Sequence, residues 1–142
     1  MITYTLNFLL AVLTGSMIFF MAVVSPSVFT TLSTNASSKF LRTIFPRMFL
    51  FGFIITLLSL ILSYISGNNL NSILLVIVAV SFIINRNYLT PKINNFREKE
   101  LEGDEKASSN FKYMHLLSVL LFLLNFIILV SIVIINYFTY NL

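Results

Sequence analysis

Residues 70–89 read LNSILLVIVAVSFIINRNYL. The strictly apolar part, Ile73 to Ile84, falls short of the roughly 20 residues that the hydrocarbon core of a bilayer requires. It reaches that length only with Leu70 on one side and Asn85 to Leu89 on the other, Arg86 snorkelling towards the headgroups. Read as a full crossing, it makes the number of crossings even. Read as a re-entrant segment, it leaves the number odd and scatters the charged residues over both sides.

Three stronger apolar runs flank it, at about 4–24, 47–65 and 111–138. Four crossings place residues 25–46 and 90–110 on one side of the membrane. Lys39, Arg42 and Arg47 border the first of these segments; Arg86, Lys92, Arg97, Lys99, Lys106 and Lys112 border the second. Together they are all 9 Lys and Arg residues. No Lys, Arg, Asp, Glu or His precedes Lys39 or follows His115. Loops rich in Lys and Arg stay cytoplasmic, so both termini are expected on the non-cytoplasmic side of a cell inner (plasma) membrane.

Composition agrees. The chain is 58% hydrophobic and 10% charged, against about 25% charged in soluble domains. The net charge of +4 sits at helix ends, which suits anionic lipid headgroups and not nucleic acid. With no cysteine, disulfides, thiolate metal sites and cysteine catalysis are ruled out. The first apolar run has no basic residue before it and is longer than a signal-peptide core, so it is expected to stay as a span.

The fold expected is a single all-α domain, residues 1–142: an integral membrane four-helix bundle with a short amphipathic interfacial helix between spans one and two. That helix is read from Lys39 to Phe45, where Phe40, Leu41, Ile44 and Phe45 recur at helical spacing. Pro26, Pro46 and Pro91 are expected to break or kink helices at the basic side. Ser66-Gly67-Asn68-Asn69 is a tight turn that makes spans two and three antiparallel neighbours. All five acids (Glu98, Glu100, Glu102, Asp104 and Glu105) fall in the second basic segment, read as a helical extension with a solvated tip. Tyr137, Phe138 and Tyr140 suit an aromatic belt. Ala36-Ser37-Ser38-Lys39-Phe40 is echoed by Ala107-Ser108-Ser109-Asn110-Phe111, and Ser25-Pro26 by Thr90-Pro91. The echo is compatible with two parallel hairpin repeats and equally with chance.

Lipid tails provide no hydrophobic drive between helices, so small residues at helical spacing mark packing faces. Span one carries Ala11, Gly15, Ile18 and Ala22; span two carries Gly52, Thr56, Ser59 and Ser63. These two faces are expected to meet. On span four, His115, Ser118, Phe122 and Asn125 share a face, and Asn125 near mid-membrane must point into the bundle. Two readings stay open: a plain interhelical hydrogen bond, or the floor of a cytoplasm-facing cavity where Asn85, Arg86, Lys92 and Arg97 converge on an anion. His115 is the lone histidine, so bis-His haem ligation would need a second chain. Met17, Met21 and Met114 sketch at most a soft copper path. No metal site, catalytic residue or phosphate loop is expected, and without an intramembrane acid a carboxylate-driven proton pump is disfavoured.

Gly15-Ser16-Met17 leading to Ser25-Pro26-Ser27-Val28-Phe29, then Phe45-Pro46-Arg47, Asn87-Tyr88-Leu89-Thr90-Pro91-Lys92-Ile93-Asn94 and Phe111-Lys112-Tyr113-Met114-His115-Leu116-Leu117-Ser118-Val119, occur in this order at helix ends. In that order and placement the chain resembles the transmembrane protein 205-like family, whose bacterial members carry a domain of unknown function. The resemblance implies a four-helix membrane protein. More distantly, His115 is placed like a histidine of the four-helix membrane protoporphyrinogen oxidases and copper resistance protein D, which use further His or Lys ligands not seen in these spans. The function expected is a binding or structural accessory component of the membrane, partnered by another membrane protein or by its own copies, with no cofactor. An oligomeric small-molecule or metal transporter and a haem-linked oxidoreductase are the alternatives.

Overall fold

A computed structural model describes residues 1–141, the side chains of Tyr140 and Asn141 excepted, so the belt residue Tyr140 lies outside the described side chains. The described residues form helices α1 (Ile2–Phe19), α2 (Ser25–Thr31), α3 (Thr34–Ile65), α4 (Asn69–Ile84), α5 (Thr90–Leu101) and α6 (Glu105–Asn141). A π-helical turn, Phe20–Val24, joins α1 to α2, and another, Asn85–Leu89, joins α4 to α5. The chain is therefore four rods, Ile2–Thr31, Thr34–Ile65, Asn69–Leu101 and the rod beginning at Glu105, each long and apolar enough to cross a membrane. Residues 70–89 are continuous helix within the third.

The rods are joined by short turns whose chemistry is local. After α3, Gly67 takes φ 74, Asn68 N–H donates to the Ser63 carbonyl, and Gly67 N–H donates to that of Tyr64. After α5, Gly103 takes φ 97, with Asp104 N–H on Lys99 and Gly103 N–H on Glu100. Both are Schellman ends, which need a residue at positive φ and so favour glycine. The next residue then caps the following helix: Asn68 Oδ1 accepts from Asn71 N–H, and Asp104 Oδ1 from Lys106 and Ala107 N–H. The first turn differs. Leu32 is extended there, and Ser33 caps α3.

None of the three prolines breaks its rod, contrary to the sequence expectation. Proline lacks an N–H and its ring crowds the carbonyl four residues back. Ahead of Pro26 and Pro91 the helix widens by one residue into a π turn, with Ser25 N–H on the Phe20 carbonyl and Thr90 N–H on the Asn85 carbonyl. Pro46 lies inside α3, which runs through it unbroken. The amphipathic segment 39–45 is therefore the opening part of the second rod and not a separate interfacial helix. Segments 25–46 and 90–110 are likewise mostly helix; the turns between helices occupy only 32–33 and 102–104.

Around the bundle the order is α1, α3, α4, α6, each touching its two neighbours. Every helix buries one stripe at heptad-like spacing: Leu6, Leu10, Leu13, Met17 and Phe20 on α1 and its π turn; Phe49, Gly52, Thr56, Ser59 and Ser63 on α3; Asn71, Leu75, Val78 and Phe82 on α4, continued by Asn85; Ser118, Phe122, Asn125, Leu129, Ile132 and Asn136 on α6. Outward faces are apolar too, with Phe8, Ile54, Ile77, Leu120 and Ile127 exposed. A water-soluble monomer does not present such a surface, and lipid covers it at no cost.

The small-residue stripe of α1 faces outward. Ala11, Gly15, Ile18 and Ala22 are all exposed, and a Cβ on Gly15 would meet nothing within 4 Å. It does not meet the α3 stripe. The α3 stripe is buried, and Gly52 abuts Phe82 of α4 so closely that a Cβ there would stand 2.7 Å from the ring.

Candidate functional site

At the basic end, α2 and α3 diverge above the junction of α5 and α6 and leave a cavity of about 530 Å³, within the size range of small-ligand sites. Its deep part is aromatic. Phe20 and Phe45 lie 5.3 Å apart, Phe45 and Phe49 5.9 Å, and Phe49 and Phe122 6.4 Å; all four line the space, with Met21, Phe29, Leu41 and Met48 beside them. Its mouth is polar, lined by Thr34, Ser37, Ser38, Arg42, Asn94, Arg97 and His115.

Helix geometry holds the cationic groups in place. Arg97 of α5 stands 5.3 Å over the Phe111 ring of α6. That ring stacks on His115, one turn further along, at 5.8 Å and 10°. The three form a cation–aromatic–imidazole pile along one wall. Arg42 of α3 donates to Glu98 of α5 at 2.7 Å, a link between these two helices at the mouth. Arg97 also pairs with Glu100, which accepts from the Ser108 hydroxyl of α6 at 2.8 Å. The Arg97 guanidinium, and after it the Ser108 hydroxyl, hold the Glu100 carboxyl below the usual carboxylate range. Both arginines are partly exposed and keep further N–H donors that these single contacts do not use.

Of the residues expected at a cavity, Arg97, His115 and Ser118 line it. Asn85 is one bond deeper: Ser118 Oγ donates to its Oδ1 at 2.6 Å. Asn125, 0% exposed, lies two turns below Ser118 and has no hydrogen-bond partner at either amide atom. Arg86 and Lys92 are elsewhere. Arg86 donates to Asn87 at 3.1 Å; Lys92 donates to the Tyr88 hydroxyl at 2.6 Å. Of the methionines, Met21 faces the cavity with His115, and Met17 is core. No cluster of three His, Cys, Asp or Glu able to hold a metal occurs among the described residues.

Sequence reasoning missed Arg42, Asn94 and Ser37 at this site. A signal existed for Arg42. Read through Pro46, the stripe Gly52, Thr56, Ser59, Ser63 extends backwards at the same spacing to Phe49, Phe45 and Arg42. Also missed was a buried chain at the uncharged end: Asn71 Nδ2 donates to Asn136 Oδ1 at 2.7 Å, and Asn136 Nδ2 to Asn7 Oδ1 at 2.8 Å. Asn136 continues the stripe that contains Asn125.

A family model matches residues 8–102, which takes in the first three rods and stops before the His115 face. No curated protein and no solved structure matches the chain. Since the family match spans well over half of it, the chain belongs to the family described as a domain of unknown function, DUF4149.

Proposed function

We propose that this chain is a binding protein of the bacterial cytoplasmic membrane, of the transmembrane protein 205-like kind, whose cavity receives an amphiphilic anion from the inner leaflet. The gathering of the basic residues at the cavity's end supports a cytoplasm-facing cavity. One observation carries the reading: a single space with an aromatic depth and a mouth bearing Arg42, Arg97 and His115. Apolar walls suit an acyl or prenyl chain, and guanidinium forks suit a phosphate or carboxylate head. Anionic lipids are concentrated at this surface, so such a ligand is always at hand. The accessory role and a membrane-protein or self-association partner stand with this reading. A transporter does not gain from it, because Leu10, Leu13, Leu75, Val78, Leu129 and Ile132, each at most 2% exposed, fill the bundle beyond Asn125.

The test is thermal stability in nanodiscs of zwitterionic lipid with dodecyl phosphate, dodecanol or inorganic phosphate added. Dodecyl phosphate is expected to raise the melting temperature by several degrees, and neither control to do so. Arg42→Ala with Arg97→Ala should abolish the shift, and Arg86→Ala should leave it. An equal shift with dodecanol, or with phosphate alone, overturns the proposal, as does the absence of any shift.

A further inference from the structure

Seven buried side-chain N or O atoms have no hydrogen-bond partner among the described residues, and five of them belong to one seam: Asn71 Oδ1 at its uncharged end, and Ser81 Oγ, Asn85 Nδ2, and Asn125 Oδ1 and Nδ2 grouped further towards the basic end. That seam lies between the antiparallel helices α4 and α6. Its register is set at both ends, by Asn71 on Asn136 and by Asn85 on Ser118. Counting inward from the nearer Asn85–Ser118 bond puts Ser81 level with Phe122, and counting from Asn71–Asn136 puts it level with Phe126, so Asn125 lies within about 4.5 Å of Ser81 along the axis. Side chains on a helix lean towards its N-terminus. On α4 that direction is the uncharged end and on α6 the basic end, so Ser81 and Asn125 lean towards one another. They nevertheless form no direct bond.

Leaving the two amide atoms of Asn125 bare at mid-membrane is unfavourable, because neither lipid nor apolar side chains offer them a partner. A water molecule needs two to four polar neighbours to be held inside a protein. Asn125, Ser81 and the free Asn85 amide provide donors and acceptors for it. Ser118 and Phe122 line the cavity and also border this seam. Beyond Asn125 the next residues are apolar and buried: Val78 and Leu129 are 0% exposed and Leu13 is 1%.

We infer that the α4–α6 seam is a blind hydrated pocket, centred on Asn125, Ser81 and Asn85 and opening to the cavity past Ser118, whose resident ligand is water. It carries water to mid-membrane from the basic end and no further. The carboxamides and hydroxyls present no charge, so the site selects small neutral hydrogen-bonding molecules over ions. This pocket stands whether or not the cavity takes an amphiphile, because it rests on different atoms.

The test is water-edited solid-state NMR on protein labelled with ¹⁵N at asparagine and leucine, in nanodiscs without added amphiphile. The Asn125 side-chain amide, identified by the signal missing from Asn125→Leu, is expected to gain magnetisation from water much faster than the Leu129 backbone amide. Ser81→Ala, which removes one wall of the site and leaves the bundle otherwise intact, is expected to slow that transfer severalfold. Transfer to Asn125 as slow as to Leu129 in the unmodified protein overturns the pocket, and unchanged transfer in Ser81→Ala overturns its placement on this seam. Asn125→Leu is also expected to melt within a few degrees of the parent, since no protein partner is lost. A large fall would show Asn125 bonded to protein and count against resident water.

Discussion

The hairpin of residues 2–65 and the hairpin of residues 69–141 share one plan and differ in one joint. Each begins with a rod that widens into a π turn before a proline, at Pro26 and Pro91. Each continues into a second rod whose first turn is capped and reads Ala-Ser-Ser, at Ala36 and Ala107. In the second hairpin the joint is a Schellman turn that folds α5 along α6, with Glu100 gripping Arg97 and Ser108. In the first, Leu32 is extended and α2 touches α3 over only a short stretch, where the Ser37 hydroxyl faces the carbonyls of Val28, Leu32 and Ser33. The cavity occupies the space that this looser joint leaves. A shared helical plan thus fixes the bundle, and a difference in one turn leaves room for the cavity.

The largest expected effect breaks the seam where the hairpins meet. Gly52→Val forces a side chain against the Phe82 ring, which is 1% exposed and packed on Phe49 at 6.4 Å. Overpacking of this kind costs about 1–3 kcal/mol. Gly15→Val, on the outward face of α1, is expected to be silent in the same SDS-denaturation titration, since nothing lies within 4 Å of its Cβ. If both are tolerated alike, the α3–α4 contact is not the join between the hairpins.

Next come the two Schellman glycines. Gly67→Ala and Gly103→Ala each place a Cβ at positive φ, with an expected loss of about 1 kcal/mol. Gly67 joins the hairpins and Gly103 lies within the second. Matched losses in equilibrium unfolding support equivalent turns, and a loss confined to Gly67→Ala would mean that the α5–α6 turn contributes little to the fold.

The smallest effect concerns the joint itself and sharpens the contrast between α2 and α5. Because the Glu100 carboxyl is held low by Arg97, its contribution is present above the unfolded pKa and is lost as pH falls through the folded one. Acidification through the carboxylate range, or Glu100→Gln at neutral pH, is expected to broaden the spin-label distance between α5 and α6. The α2–α3 distance should not change. A narrow α5–α6 distance in Glu100→Gln would assign the closed joint to the Gly103 turn alone.

Much of the fold was legible because the signals are local. Gly67 after an apolar run, followed by Asn68, is a turn whatever surrounds it, and the charge pattern marks one end of the bundle. Asn125 pointed inward because lipid offers a carboxamide no partner. The face of α1 was not legible. Its small stripe and its Leu6–Leu10–Leu13–Met17 stripe are both acceptable to lipid, so hydropathy cannot say which one turns inward. Reading Pro46 as the start of a span hid Arg42, because the continuous stripe became visible only once the helix ran through the proline.

The amino-acid order alone determined an all-helical chain with four apolar rods and its cations gathered at one end. Each of those properties depends on a residue and its near neighbours. Which faces interlock, where a joint stays open and which arginines reach the opening were decided only by tertiary packing. Those outcomes depend on the rotation of each rod about its own axis, and a helix apolar on every side leaves that rotation to shape complementarity with its neighbours.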